Sequence, residues 1–130
     1  MAPENMVEVV AAVIEQNGLI MIGQRRAGSR HAHKWEFPGG KLEAGETPRE
    51  ALARELREEL AIEAIVGEEI ERYDFAYGTN GTTRLYFFRV AEYTGEPKNL
   101  AFEQIAWEHP AKFRDYDFLD GDLRFLQRFL

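Results

Sequence analysis

Apolar residues recur along this chain in short blocks, and the spacing within each block changes with position. Residues 7–15, VEVVAAVIE, are apolar on both alternating sets of positions, as expected of a strand buried on both faces. Asn17-Gly18 suits a tight hairpin, and residues 19–26, LIMIGQRR, predict the returning strand. Residues 27–34 are small and polar, a loop, and residues 35–40, WEFPGG, predict a short extended piece ended by Pro38 and two glycines. From 48 to 60 the period becomes helical. Leu52, Leu56 and Leu60 mark a buried stripe, Thr47 is a natural N-cap, Pro48 suits the first turn, and Glu50 completes a capping box. Residues 61–69, 70–78 and 82–93 read as strands, with a turn at 78–81 between the last two. Residues 95–99 form a loop, 103–109 a strand, and 109–113 a helical turn. Leu123, Leu126, Phe129 and Leu130 recur at helical spacing and predict a closing helix over 119–130. A mixed sheet interrupted by one helix and closed by a second predicts an α/β (α+β) fold, an α/β/α sandwich with a mixed β-sheet.

The length of 130 residues suffices for one domain with a real core, spanning 1–130, and is too short for two. Cysteine is absent, which excludes disulfides and thiolate metal sites. There is no apolar run able to span a bilayer, and the first ten residues lack the basic flank and apolar stretch of a signal peptide. A cytoplasmic protein without a membrane partner is expected. The net charge of -7, with no Lys/Arg run longer than two, argues against a nucleic-acid polymer. A small anionic ligand is compatible with that charge when a metal ion and a few arginines neutralise it.

Such a metal site is suggested by Glu55, Glu58 and Glu59, which crowd together beside the leucine stripe. Like charges at this spacing repel by a few tenths of a kcal/mol per exposed pair, and a cation between them reverses the sign. A solvated acidic helix paired with Arg49, Arg54 and Arg57 is the simpler alternative.

The wider pattern decides between them. Gly40, Glu46, Arg54, Glu55, Leu56, Glu58, Glu59 and Ile62 fall at the spacing Gly-x5-Glu-x7-Arg-Glu-Leu-x-Glu-Glu-x-Ala-Ile, which resembles the Nudix box. The flanking WEFPGGK, the N-terminal hairpin and the tail are similar to the MutT-type and CTP pyrophosphohydrolase-like branch, so the resemblance spans the chain. It implies a Nudix fold and hydrolysis of a nucleoside diphosphate linked to a further group. It also implies Mg2+, with Mn2+ as a substitute, held by Glu55, Glu58 and Glu59 with a backbone carbonyl at Gly39 or Gly40. Hard cations with oxygen ligands suit the chemistry, since they relieve the repulsion between an anhydride and an incoming water. Arg54 would orient a box carboxylate, and Glu46 would support the loop and join the ligand shell. The general base is Glu103, before the strand bearing Trp107, or Glu58. Ala61 stands where the family usually has glycine, and a left-handed alanine costs roughly 1 kcal/mol.

For the substrate end, Arg25 and Arg26 close the second strand beside the glycine loop, where a phosphate can be met, and the resemblance matches Arg26 with nucleotide contact and Phe37 with packing against the base. Asp122, or Asp120 if the loop is shifted, takes the place of a base-reading asparagine. An ionised aspartate only accepts hydrogen bonds, which suits an N–H-rich base edge. Trp35 reads as structural, and His31 and His33 as solvent-exposed without a catalytic role. The expected reaction is (d)NTP to (d)NMP plus pyrophosphate, with 8-oxo-dGTP-like substrates ahead of CTP or modified dCTP, by a monomer or homodimer. Tyr77 matches weakly a tyrosine of dinucleoside polyphosphate hydrolases. That reaction, nucleotide-sugar hydrolysis and a non-catalytic nucleotide-binding module are the alternatives.

Overall fold

The computed structural model describes residues 6–78 and 81–130. Its central element is β1 (Met6–Gln16), which returns through the Asn17-Gly18 turn into β2 (Leu19–Gln24). Two short strands follow, β3 (Trp35–Glu36) and β4 (Gly39–Lys41), then helix α1 (Pro48–Leu60). After α1 come β5 (Glu63–Ile65), β6 (Glu69–Ala76), β7 (Thr82–Val90), β8 (Glu92–Thr94) and β9 (Gln104–Glu108). The main sheet runs β3-β2-β1-β7-β6, with β4 on β1 and β9 on β2, while β5 and β8 form a separate ribbon. β1 and β7 pair in parallel from Met6–Thr82 to Ile14–Val90, and the other pairings are antiparallel.

Because β1 is apolar on both faces, it feeds two cores. Val10, Ala12 and Ile14 face Leu52, Leu56 and Leu60 of α1, whereas Ala11 and Val13 face Phe113, Phe118 and Phe125 of the C-terminal segments. β7 divides likewise, with Phe88 and Val90 on the α1 side and Leu85 and Phe87 on the other. Helical layers thus cover both faces of a mixed sheet, the sandwich that the pattern predicts.

Four details differ from the sequence reading. Gly39 and Gly40 do not end the extended segment but start β4, pairing with Ala11 and Val10. A Cβ at Gly39 would lie 1.9 Å from the Val10 carbonyl oxygen, and one at Gly40 would lie 2.5 Å from the Glu55 carboxyl carbon, so the glycines permit close approach. The strand expected over 61–69 contracts to β5, and the one over 82–93 breaks at Ala91 into β7 and β8. The closing helix is fragmented into a 3-10 turn at Asp120–Asp122, α2 (Leu123–Leu126) and a 3-10 turn at Gln127–Phe129. Its tighter turns shift the buried face to Phe125 and Leu126, leaving Leu123 and Leu130 exposed. The turn expected at 78–81 lies partly outside the described residues, at Thr79 and Asn80. The helical turn expected near 109–113 is a 3-10 helix, Pro110–Asp115, capped by His109.

Candidate active site

α1 is fixed at both ends before any ligand is considered. Thr47 and Glu50 form the reciprocal capping box, with Glu50 N–H donating to Thr47 Oγ1 at 3.2 Å and Thr47 N–H to Glu50 Oε1 at 2.9 Å. At the other end Ala61 adopts φ 57°, ψ 35° and donates its N–H to Arg57 O. That is the left-handed turn for which glycine is better suited.

Arg54 organises the outer side of the helix. It grips Glu46 through Nε and Nη2 at 2.7 and 2.9 Å, and its Nη1 reaches Glu55 Oε1 at 3.0 Å and Glu58 Oε2 at 3.2 Å. Nη2 also donates to the Lys41 carbonyl at 3.0 Å, tying the helix to β4. The Arg54 hydrogen bonds hold the Glu46 carboxyl below the usual carboxylate range, helped by the Glu43 N–H. Both Glu46 oxygens are therefore engaged, and Glu46 does not line the cleft. Glu58 lies on the same outer side with its side chain 57% exposed.

Glu55 and Glu59 turn inward, into a cleft of about 440 Å³ that Gly39 and Gly40 also line. Glu59 Oε1 accepts from the Gly39 N–H at 2.9 Å. Burial first, then the charges of Glu36 and Glu55, push the Glu59 carboxyl up to about 9. Burial likewise raises Glu55, against the pull of Arg54. As they stand, no three Asp, Glu or His side chains among the described residues converge as a ready-made metal site. Glu55 is turned to Arg54 and Glu59 to Gly39. Yet the donors are hard oxygens whose mutual repulsion burial magnifies, the set that a hard divalent cation relieves. The residues present fit such an ion.

Asp122 also lines the cleft, 4% exposed, its carboxyl facing the Phe37 N–H. Burial and then the Glu36 charge push its carboxyl up to about 8. Asp120 is exposed, so the turn presents Asp122 and not Asp120 to the cleft. Phe37 also lines the cleft, although its ring is 2% exposed and sits among Phe87, Phe113, Phe118, Phe125 and Phe129. Its backbone meets Asp122 while its ring is core.

The two neighbouring arginines part company. Arg25 lines the cleft, donating Nη1 to both Glu36 oxygens at 3.2 and 2.9 Å and Nε to the Arg30 carbonyl at 2.6 Å. Arg26 points instead toward the Phe102 carbonyl, 3.4 Å from its Nε, and is not among the cleft residues. Glu103 is exposed before β9 and lies outside the cleft, its N–H donating to Gln24 O at 2.8 Å. Trp35 packs edge-on to Tyr116 in the second core. His31 and His33 are both exposed, His31 at the cleft lining with its ring 5.4 Å from that of Tyr77.

Sequence reasoning overlooked Glu36. Its side chain is 12% exposed, and it influences both Glu59 and Asp122. The available signal was strand alternation, since an acid between Trp35 and Phe37 points away from both aromatic neighbours.

Residues 4–129 match the NUDIX domain family. The chain is 38% identical over 125 residues to the CTP pyrophosphohydrolase of Escherichia coli K12, covering 96% of this chain and 92% of that protein. It is 40% identical over 105 residues to an 8-oxo-dGTP diphosphatase of Haemophilus influenzae, covering 80% and 76% respectively. The solution structure of the E. coli ORF135 protein superposes with a TM-score of 0.85 at 38% identity, over 96% of this chain and 89% of that one.

Proposed function

This chain belongs to the Nudix family of hydrolases, and from that premise we propose that it is a Mg2+-dependent nucleoside triphosphate pyrophosphohydrolase. It is an enzyme of nucleotide pyrophosphate bonds, and small nucleotides are its class of substrate. Hydrolases of this family generally need a divalent metal. The reaction we assign is (d)NTP plus water to (d)NMP plus pyrophosphate. The observation that carries it is the joining, in one cleft, of the inward carboxyls Glu55 and Glu59 with a buried hydrogen-bonding acid, Asp122.

In this reading Glu55, Glu58 and Glu59 hold Mg2+, or Mn2+ in its place, with a carbonyl from Gly39 or Gly40. What a bound divalent cation supplies is neutralisation of the anhydride oxygens and a more acidic water. Arg54 keeps Glu55 and Glu58 oriented, and its grip on Glu46 anchors the loop before α1. Arg25 supplies positive charge in the cleft. Of the two candidate bases we assign Glu58, beside Glu59 on α1, because Glu103 is exposed and stands away from the cleft.

For the base we favour an 8-oxo-dGTP-like purine, consistent with nucleotide-pool sanitation. A second reading, CTP or a modified dCTP, has its own support. An Asp122 that keeps its proton both donates and accepts, which matches N3 and N4–H2 of cytosine. We assign the activity to a single domain over 1–130, cytoplasmic, as a monomer or homodimer, without nucleic-acid polymer or membrane partners. No helix among the described residues is long and apolar enough to cross a membrane.

A panel of nucleoside triphosphates, dinucleoside polyphosphates and nucleotide sugars, hydrolysed in 18O-water with Mg2+, tests the reading. Pyrophosphate release from triphosphates by the wild type, abolished in Glu59→Gln with the fold intact, is the expected result. Wild-type rates in Glu59→Gln would remove the metal assignment. No hydrolysis of any substrate with Mg2+ or Mn2+ would leave a nucleotide-binding module.

A further inference from the structure

Strand β6 carries two tyrosines on one face, Tyr73 within it and Tyr77 just past its end, four residues apart. Neither is given a part in the reaction assigned above, although Tyr77 lines the cleft. Both reach the same glycine. Tyr73 Oη donates to the Gly121 carbonyl at 2.5 Å and accepts from the Phe125 N–H at 3.3 Å. Tyr77 Oη packs directly against the Gly121 backbone. Gly121 is thus flanked by two phenols, one hydrogen-bonded to its carbonyl and one, from just past β6, packed against it.

The contact also explains why residue 121 is glycine. Its φ is not left-handed, but a Cβ there would lie 2.1 Å from Tyr77 Oη and 3.0 Å from the ring carbon that bears it. The hydroxyl occupies the space a side chain would need. Tyr77 is itself fixed, by the edge of Phe75 at 4.7 Å between centroids and by the His31 ring at 5.4 Å. The next residue after Gly121 is Asp122. The turn that carries it is only three residues long and precedes an α-helix of four, too short to hold its own position. Asp122 is therefore located from two sides, by the Phe37 N–H facing its carboxyl and by the tyrosines on the neighbouring Gly121.

We propose that Tyr77 is a positioning residue for base selection, holding the Gly121–Asp122 turn so that the Asp122 carboxyl meets one base edge and rejects others. The proposal rests on the reading of the cleft as a nucleotide site. Discrimination between bases through a buried polar group depends on donor and acceptor placement, so a loosened turn blurs it while the α1 carboxylates are undisturbed.

The test compares wild type, Tyr77→Phe, Asp122→Asn and the double variant, with two readouts. One is Kd for 8-oxo-dGMP, GMP and CMP by calorimetry, which needs no turnover. The other is kcat and KM for the matching triphosphates. Tyr77→Phe keeps the ring and loses the hydroxyl that packs against Gly121. It should raise Kd and KM for the preferred base about five- to tenfold, leave the poorest base nearly unchanged, and keep kcat within about twofold. In the Asp122→Asn background the same change should alter Kd less than about twofold, because the group being positioned is already altered. Equal weakening for every base, no weakening at all, or an undiminished effect beside Asp122→Asn would overturn the proposal. Preserved selectivity changes in monophosphate binding without triphosphate hydrolysis would uphold it and remove the hydrolase reading instead. Failure of the wild type to bind any of the three monophosphates would overturn both.

Discussion

Replacing Asp122 by asparagine should make the metal-free protein more resistant to unfolding as pH rises. The carboxyl is 4% exposed, and burial, then the nearby Glu36 charge, lifts it from 3.8 to about 8. Between those values the unfolded chain has released the proton while the folded chain retains it. The folded state binds more protons, so stability falls with rising pH across that window. The loss is about 1.4 kcal/mol per pH unit, reaching on the order of 4 kcal/mol at pH 7. That is a large part of an ordinary domain's total stability of about 5–15 kcal/mol. Asparagine keeps an oxygen for the Phe37 N–H and does not titrate. Urea unfolding of both proteins in EDTA, from pH 4 to 9, isolates the effect as a difference curve. A constant offset from the extra amide hydrogen shifts that curve without changing its shape. The asparagine variant should gain steadily between about pH 4 and 8 and then level off. A difference curve flat to within about 0.5 kcal/mol over that range would show that Asp122 is not held neutral by burial, and the reasoning would fail.

Two further outcomes follow from the same geometry. Ala61 at φ 57° is strained for an L-residue. Ala61→Gly should stabilise the protein by about 0.5–1 kcal/mol after its greater unfolded-chain freedom is counted, read as a higher urea midpoint at unchanged slope. An unchanged or lower midpoint would mean that the turn carries no strain. Glu59, raised to about 9, holds a proton at pH 7 that a cation must displace. Calorimetric titration of Mg2+ in buffers of different ionisation heat should report release of up to about one proton per ion at pH 7 and little above pH 9. Buffer-independent heats at pH 7 would place the ion elsewhere.

The parts of this fold legible in sequence are those where one local rule acts alone. The capping box at Thr47 and Glu50 and the four-residue leucine repeat fix α1 without reference to the rest of the chain. β1 is apolar throughout because both faces are covered, a condition its sequence records directly. Asp122 stood out as a candidate base reader only by resemblance, since Asp-Gly-Asp is also ordinary surface-turn composition. The groups that face it, the Phe37 N–H and the Glu36 carboxyl, come from 85 and 86 residues earlier in the sequence. Arg25 and Arg26 are adjacent, and only the course of the chain beyond β2 sends one into the cleft and the other toward Phe102. The apolar spacing of the tail assumed 3.6 residues per turn, and alternation between 3-10 and α geometry invalidated that phase.

Glu36 shows why one small cleft needs two kinds of carboxyl. Those on the outer side, Glu46 and Glu58, are bound to Arg54 and stand outside the cleft lining, and the Arg54 hydrogen bonds hold Glu46 low in pKa. The inward ones, Glu59 and Asp122, are both raised by burial, and Glu36 is the leading charge raising each. The same device has opposite consequences because the neighbours differ. Glu59 also has Glu55 beside it, so a divalent cation entering there relieves several repulsions at once and can replace the proton. Asp122 has no box carboxylate among its causes, only Glu36, Arg25 and a backbone donor, so it can keep its proton and use it as a hydrogen bond. Arg25, which lowers both groups as it neutralises Glu36, sets how far the two are coupled. An anionic substrate that drew Arg25 away from Glu36 would strengthen the proton's hold on Asp122 and the demand for a cation at Glu59 in the same movement.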